Sequence, residues 1–165
     1  MSVEKTLKRA EVFLGLDDSE LSKIADLPSC QEETYQAGDL IIREGDEARS
    51  IYVLKEGRLD LMMEVPSEEK QVVVERITTG SFFGWSALVK PHSYVMSAVC
   101  SAPSTVVKIS GAELLALFEQ DYRIGYKVFQ SLSHTIGVRL RVVEQVLLTG
   151  QKRWPFLEKR KTPRA

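Results

Sequence analysis

The side chains best suited to acid–base or thiolate chemistry are two histidines, His92 and His134, and two cysteines, Cys30 and Cys100. Neither histidine has an evident acid or nucleophile partner, and the cysteines form no CxxC pair, so neither a disulfide framework nor a zinc site is indicated. The sequence also lacks the GxSxG, HExxH and GK(S/T) motifs. We therefore predict a non-enzymatic protein and interpret both cysteines as small core residues.

The composition indicates one globular domain. The chain has 165 residues, of which 44% are hydrophobic and 27% are charged, and its formal charge is −1. No apolar run approaches the ~20 residues of a membrane helix, and the polar start has no signal-peptide core behind it, so we expect a soluble, cytoplasmic protein without a membrane partner. The charge is uneven: residues 151–165 carry six cations and one anion, or +5, which leaves −6 on the remainder. The nearly balanced total argues against a chain that binds nucleic acid on its own.

Apolar spacing divides the chain into a domain of residues 1–150 and a basic tail of residues 151–165. Residues 1–28 and 111–150 have helical spacing, whereas residues 29–110 have short β-type runs separated by glycine turns. Seven or eight short strands predict an antiparallel sandwich or barrel. The first helical stripes are Leu7, Ala10, Phe13 and Leu14, then Leu21, Ile24, Ala25 and Leu27. The β-type runs are Glu33–Tyr35, Leu40–Arg43, Ser50–Lys55, Arg58–Val65, Gln71–Ile77, Tyr94–Cys100 and Thr105–Ser110.

Three stretches of the β region follow one another in a distinctive order: Tyr35–Asp46, Ile51–Leu59 and Gly80–Gly84. Their order and spacing resemble the β-roll of the cyclic nucleotide-binding domain, the module shared by catabolite activator (Crp/Fnr-type) regulators, protein kinase A regulatory subunits and nucleotide-gated channels. The resemblance implies a mainly β fold, an eight-stranded antiparallel β-roll of jelly-roll type, with N-terminal helices and a long C-terminal helix. It also implies a ligand-sensing role in transcriptional regulation or signal transduction.

In this family the ligand lies in a cassette that corresponds here to residues 83–99. A glycine lets the backbone approach an anion, and the N–H groups after it would lie at a helix N-terminus, where they favour phosphate. The resemblance therefore predicts a site for a nucleotide-like or other small anionic ligand, and it specifies no cofactor. The predicted ligand-binding residues are Phe83, Gly84, Trp85, Ser86, Ala87, Leu88, Tyr94, Val95 and Met96.

The two charged groups of the family site are missing from this cassette. Trp85 stands where the family has a glutamate that accepts a hydrogen bond from the ribose. Tyr94 stands where the family has an arginine paired to the phosphate. If the alignment is shifted by two residues, Met96 stands there instead. Hydrogen bonds to charged groups contribute about 1.5 to 3 kcal/mol each, so we predict an affinity for cyclic AMP or cyclic GMP on the order of 10² to 10⁴ weaker than usual. Lys90 or His92 could supply a positive charge, although we interpret both as loop residues.

Two interpretations of Trp85 remain open. In the first, Trp85 and Tyr94 offer stacking faces to a planar or apolar ligand. In the second, Trp85 fills the cavity and closes it.

A narrow apolar seam runs along the long C-terminal helix, with His134 beside it. We expect its second half to pair with a second copy of the chain in a two-fold homodimer, although the whole helix could instead pack on its own barrel. The predicted interface residues are Phe129, Leu132, Ile136, Leu140, Val143 and Leu147.

Residues 151–165 are too few for the DNA-binding domain that follows this helix in the family's transcription factors. The first functional hypothesis is therefore a dimeric regulatory ligand-sensing domain with weakened or lost cyclic AMP and cyclic GMP binding. The alternatives are a ligand-free protein-interaction module and a Crp/Fnr-type regulator without its DNA-binding domain.

Overall fold

A computed structural model describes residues 2–65 and 70–149, with the side chains of residues 65, 70, 142, 143 and 145–149 left undescribed. The predicted basic tail therefore lies outside the described residues. The helices are α1 (Val3–Arg9), α2 (Asp18–Ala25), α3 (Gly111–Gln120) and α4 (Tyr122–Thr149), with 3₁₀ turns at Glu11–Phe13 and Trp85–Leu88. The strands are β1 (Gln31–Tyr35), β2 (Leu40–Ile42), β3 (Ser50–Glu56), β4 (Leu59–Val65), β5 (Lys70–Ile77), β6 (Phe82–Phe83), β7 (Ser97–Cys100) and β8 (Ser104–Ser110).

The strands form two antiparallel four-stranded sheets. The first has the order β1-β8-β3-β6 and the second the order β2-β7-β4-β5. Helices precede and follow this β-roll, and the last of them is long. The predicted fold class is confirmed.

The β3 strand shows how the layers pack. Ile51 and Val53 belong to the core cluster that lies between the first sheet and the helices. Tyr52 and Leu54 belong to the cluster between the two sheets, inside the roll. Because successive side chains of a strand point to opposite faces, both faces of β3 are covered, and this explains its unbroken apolar run.

Three details differ from the sequence predictions. Leu14 is 66% exposed rather than part of a core stripe, because a 3₁₀ turn replaces helix just before it. The strand expected from Tyr94 begins at Ser97, since Tyr94 instead exchanges backbone hydrogen bonds with Gly45 and Asp46 in a loop. The pair Phe82–Phe83, absent from the predicted runs, forms a strand beside β3.

The first half of α4 packs on the chain's own core. Ile124, Val128 and Leu132 are buried in the cluster between helices and sheet. Ion pairs join α4 to other elements: Lys127 and Arg123 bind Glu20 of α2 at 2.6 and 3.4 Å, and Arg139 binds Glu75 of β5 at 2.8 Å. None of the described helices contains the apolar run that a bilayer-spanning helix needs.

Both cysteines are free thiols in the interior, as predicted. Cys100 is 2% exposed inside the roll, and Cys30 is half-buried against the helix-side core. Burial raises the pKa of the Cys30 thiol to about 11. Neither thiol has the electropositive, exposed surroundings that a reactive cysteine needs.

Candidate ligand site

Gly84 brings the cassette backbone close to β3. Its φ of +76° is in the left-handed region, and a Cβ there would lie 2.8 Å from the carbonyl oxygen of Ser50 and 3.4 Å from Cε1 of Tyr94. Only glycine fits this conformation and this close approach without strain. The next residues form a single 3₁₀ turn, Trp85–Leu88, in which the N–H of Ala87 donates to the carbonyl oxygen of Gly84 at 3.1 Å. One of the amides expected to face an anion is therefore already used.

Tyr94 is anchored inside the roll at both its backbone and its ring. Its N–H donates to Asp46 at 2.9 Å, and its carbonyl oxygen accepts from Gly45 at 2.8 Å. Its phenol donates to the carbonyl oxygen of Ser50 at 2.8 Å and accepts from the N–H of Ser50 at 3.2 Å. The side chain is 7% exposed. The residue that the resemblance places at the family's arginine position thus binds the protein's own backbone.

The cavity left between these groups measures only about 20 Å³. A single water needs about 10 to 15 Å³ by the same kind of measure, so the space holds one or two waters and no nucleotide. Its lining residues are Ile42, Leu61, Phe83, Gly84, Trp85, Ser86, Tyr94, Val95, Met96 and Arg139.

Seven of the nine predicted ligand residues therefore surround one cavity. Ala87 and Leu88 do not line it, because their side chains are buried in the two core clusters. The role predicted for these two residues, which rests on their backbone N–H groups, stays a prediction. The half-buried Trp85 lines the cavity and also packs against the helix-side core, whereas Tyr94 lies in the cluster inside the roll. Tyr94 is thus the more deeply buried of the two rings, and both interpretations of Trp85 stay predictions.

Arg139 is the lining residue that carries a cation, and sequence reasoning missed it. It reaches the cavity from α4, and its Nη2 binds both carboxylate oxygens of Glu75, at 3.0 and 2.8 Å. No local motif marks this arginine, because only the docking of α4 against the sheet brings it to the cassette. Ile42 and Leu61 were missed as lining residues for a simpler reason: their apolar side chains indicate core rather than site.

The two cations suggested as replacements do not approach the cavity. Lys90 is exposed, and His92 has its Nδ1 3.2 Å from the carbonyl oxygen of Ser86. Since a carbonyl oxygen can only accept, the Nδ1–H form of His92 donates to it and braces the 3₁₀ turn.

The predicted dimer seam is divided by the structure. Leu132 is 1% exposed in the chain's own core, and Phe129 and Ile136 pack against that core. Leu132 therefore has little surface to offer a second chain, whereas Phe129 and Ile136 are only half-buried, and the interface stays a prediction. Leu140 is 56% exposed, and the side chains of Val143 and Leu147 lie outside the described residues. Within the described ranges, no group of three His, Cys, Asp or Glu residues could hold a metal ion.

The family model for the cyclic nucleotide-binding domain matches residues 32–121, more than half of the chain. Among curated proteins, the cAMP-dependent protein kinase regulatory subunit of Schizosaccharomyces pombe is 35% identical over 102 residues, which cover 62% of this chain and 23% of that protein. The cGMP-dependent protein kinase egl-4 of Caenorhabditis elegans is 24% identical over 140 residues, 85% of this chain and 17% of that protein. The chain thus spans less than a quarter of these relatives' length.

Solved structures repeat the fold. A protein from Geobacter metallireducens described as a cyclic nucleotide-binding protein has a TM-score of 0.71 at 28% identity, with 85% of this chain and 99% of that chain covered. The catabolite activator protein of Thermus thermophilus has a TM-score of 0.71 at 22% identity, with 84% of this chain and 62% of that chain covered.

Proposed function

Because the chain belongs to the cyclic nucleotide-binding domain family, we propose that it is a non-enzymatic regulatory domain whose family pocket no longer binds cyclic AMP or cyclic GMP in the usual way. The observation that carries the proposal is the position of Tyr94. Its ring lies against Gly84, its phenol binds Ser50, and the remaining cavity has a volume of about 20 Å³.

The chemistry of the lining supports the same conclusion. A carboxylate accepts hydrogen bonds from ribose hydroxyls and a guanidinium pairs with phosphate, but Trp85 is only a donor and Tyr94 is neutral at pH 7. Two lost charged hydrogen bonds, at about 1.5 to 3 kcal/mol each, correspond to a weakening on the order of 10² to 10⁴. Opening the cavity would also break the Tyr94–Ser50 hydrogen bonds.

The named relatives agree with a regulatory role. The Schizosaccharomyces pombe relative is a kinase regulatory subunit. A regulatory subunit from Trypanosoma brucei with the same fold is described as belonging to a cAMP-independent protein kinase A, and a triple mutant of it is described as bound to cAMP. A domain of this fold that does not respond to cyclic AMP therefore has a precedent.

Titration calorimetry with cyclic AMP and cyclic GMP tests the proposal. We expect no measurable heat from the wild-type chain at ligand concentrations up to the millimolar range. The double variant Trp85→Glu plus Tyr94→Arg should gain binding, because it restores both charged groups and removes the phenol. The matched control Tyr94→Phe removes the phenol without adding a charge and should not bind. Low-micromolar binding by the wild type would overturn the proposal.

The second half of α4 supports a homodimer as part of this function. Val138 is 42% exposed and Leu140 is 56% exposed, beyond the part of the helix that covers the core. Light scattering at tens of micromolar should give the mass of a dimer, and Leu140→Glu should shift it toward the monomer. The exposed rings of Tyr122 and Tyr126 favour the alternative of a protein-interaction module, in which the wild type is a monomer and a partner covers this face.

A further inference from the structure

A second and much larger cavity lies outside the roll, between α4 and the β4–β5 pair. It is a half-open cleft of about 1210 Å³, slightly above the range of about 300 to 1,000 Å³ that small-molecule sites occupy. One wall is the face of α4 from Arg123 to Arg139, and the other carries Met63 and Val74 of the sheet. Leu14 and Gly15 lie at its edge. The homodimer and the interaction module proposed above would cover Val138 and Tyr126 at its rim, but neither assigns a small molecule to this space.

The lining is mainly apolar with a few polar groups along one side. Met63, Tyr126 and Val138 are 38%, 69% and 42% exposed and line the same cleft, so they form one exposed apolar patch. Methionine is unbranched and polarisable, so it adapts its shape to a bound aromatic or acyl group. Most of the polar side chains come from α4, Gln130 and His134 among them, and two carboxylates, Glu11 and Glu75, come from other elements. The cleft is thus suited to a molecule that has an apolar body and a polar edge.

Arg139 gives the cleft a cation with unused hydrogen-bonding capacity. Its side chain is 26% exposed and lines both this cleft and the small cavity of the cassette, as does Met96. Only its Nη2 binds Glu75, and among the described residues Nε and Nη1 have no hydrogen-bond partner. The guanidinium can therefore donate hydrogen bonds to an anion that lies beside Glu75 or takes its place. The other two cations of the lining, Arg123 and Lys127, are paired with Glu20.

We infer that this cleft binds an amphipathic organic anion, with an aromatic or acyl body against Met63 and Val74 and a carboxylate or sulfonate on Arg139. The ligand would contact α4 directly and would sit next to the cassette through Met96. The inference goes beyond the proposed function, because the cleft lies outside the family pocket. Cyclic AMP binding would contradict the proposed function without testing the cleft, and the two can fail separately.

The test uses 1-anilinonaphthalene-8-sulfonate, an aromatic monoanion whose fluorescence rises on binding to apolar surfaces, with the folded full-length chain. Two variants break the same ion pair and should act in opposite directions. Arg139→Gln should weaken binding about tenfold or more, because the sulfonate loses a charged hydrogen bond. Glu75→Gln should tighten it by about two- to fivefold, because a competing carboxylate is removed. If the ion pair had a purely structural role, both variants would change the affinity for the dye in the same direction.

The control pair is Arg49→Gln and Glu47→Gln, which breaks an exposed ion pair away from the cleft and should leave the affinity unchanged. Val138→Glu adds a carboxylate to the cleft at a partly exposed position and should weaken binding. Cooperative unfolding transitions of all variants show that the dye reports a site and not a loosened core. A shared direction for Arg139→Gln and Glu75→Gln overturns the inference. Weaker dye binding at the higher protein concentrations at which a dimer forms would also overturn the inference, because a second copy would then fill the cleft.

Discussion

The ammonium nitrogen of Lys127 in α4 lies 2.6 Å from the carboxylate of Glu20 in α2, and Glu20 is only 5% exposed. The same glutamate accepts from the backbone N–H of Asp17 and so completes the capping box that begins α2. Arg123 adds a second, longer contact at 3.4 Å. One carboxylate therefore fixes the start of α2 and the first turns of α4 to each other.

This carboxylate makes stability depend on pH. The hydrogen bond from Lys127 holds the pKa of Glu20 below its usual value, although burial opposes the shift. A depressed folded-state pKa contributes stability above the unfolded-state pKa of about 4.3 and loses it as the pH falls through the folded-state value. Glu20→Gln keeps the cap but removes the charge, so it should cost about 1 to 3 kcal/mol at pH 7 and progressively less below pH 4.

Urea unfolding of wild type and Glu20→Gln from pH 7 to pH 3 measures this difference. Asp18→Asn is the control, because its ion pair with Lys8 is exposed and should contribute no more than about 1 kcal/mol. A constant difference between wild type and Glu20→Gln at all pH values would contradict the assignment.

The phenol of Tyr94 should contribute to stability as well as close the cavity. Tyr94→Phe leaves the buried N–H and C=O of Ser50 without this partner, which costs about 1 to 3 kcal/mol. The matched control is Tyr122→Phe, because Tyr122 is 79% exposed. Chemical unfolding of both variants measures the difference. Equal midpoints would show that the hydrogen bonds to Ser50 do not stabilise the fold.

Alanine substitutions at two glycines should change the stability of the fold in opposite directions. Gly84→Ala forces a Cβ to within 2.8 Å of the Ser50 carbonyl oxygen at a positive φ, so we expect a loss of about 1 to 3 kcal/mol or more. Gly137 lies in α4 with open space around the added Cβ, so Gly137→Ala should gain about 0.5 to 1 kcal/mol. Thermal melting of the two variants should therefore give Tm shifts of opposite sign. A Gly84→Ala variant as stable as wild type would remove the argument for close backbone packing at the cassette.

Alanine substitutions of two leucines in the predicted seam should also differ in their effect on stability. Leu132→Ala opens a cavity in the core and should cost about 2 to 5 kcal/mol. Leu140→Ala changes an exposed side chain and should leave the unfolding of the isolated chain within about 0.5 kcal/mol. In a dimer, Leu140→Ala should instead raise the dissociation constant measured by light scattering dilution. A large concentration-independent loss for Leu140→Ala would place that side chain in the core.

Local patterns were sufficient to predict the order of helices and strands and the position of the cassette. Apolar periodicity and turn glycines act over a few residues, so they can be recognised in one sequence. The two-residue strand Phe82–Phe83 is too short to show a period, and only its pairing with Tyr52 and Val53 identifies it as a strand.

The contents of the site could not be predicted in the same way. The resemblance implies that Trp85 and Tyr94 (or Met96) stand in place of two charged groups, but which side chain occupies the cavity depends on packing in three dimensions. Arg139 reaches the cassette only because α4 crosses the second sheet, where Glu75 holds it. The seam on α4 has one period throughout, so periodicity alone cannot separate its covered half at Leu132 from its exposed half at Leu140.

The two interior cysteines make the chain convenient for site-specific labelling. At neutral pH the Cys30 thiol, with a pKa of about 11, and the buried Cys100 react slowly with maleimides. A single cysteine introduced at the exposed Ser133 of α4 would therefore carry a fluorophore selectively, with both native cysteines retained. A label at that position would report directly on whether α4 moves when the chain meets a ligand or a second copy of itself.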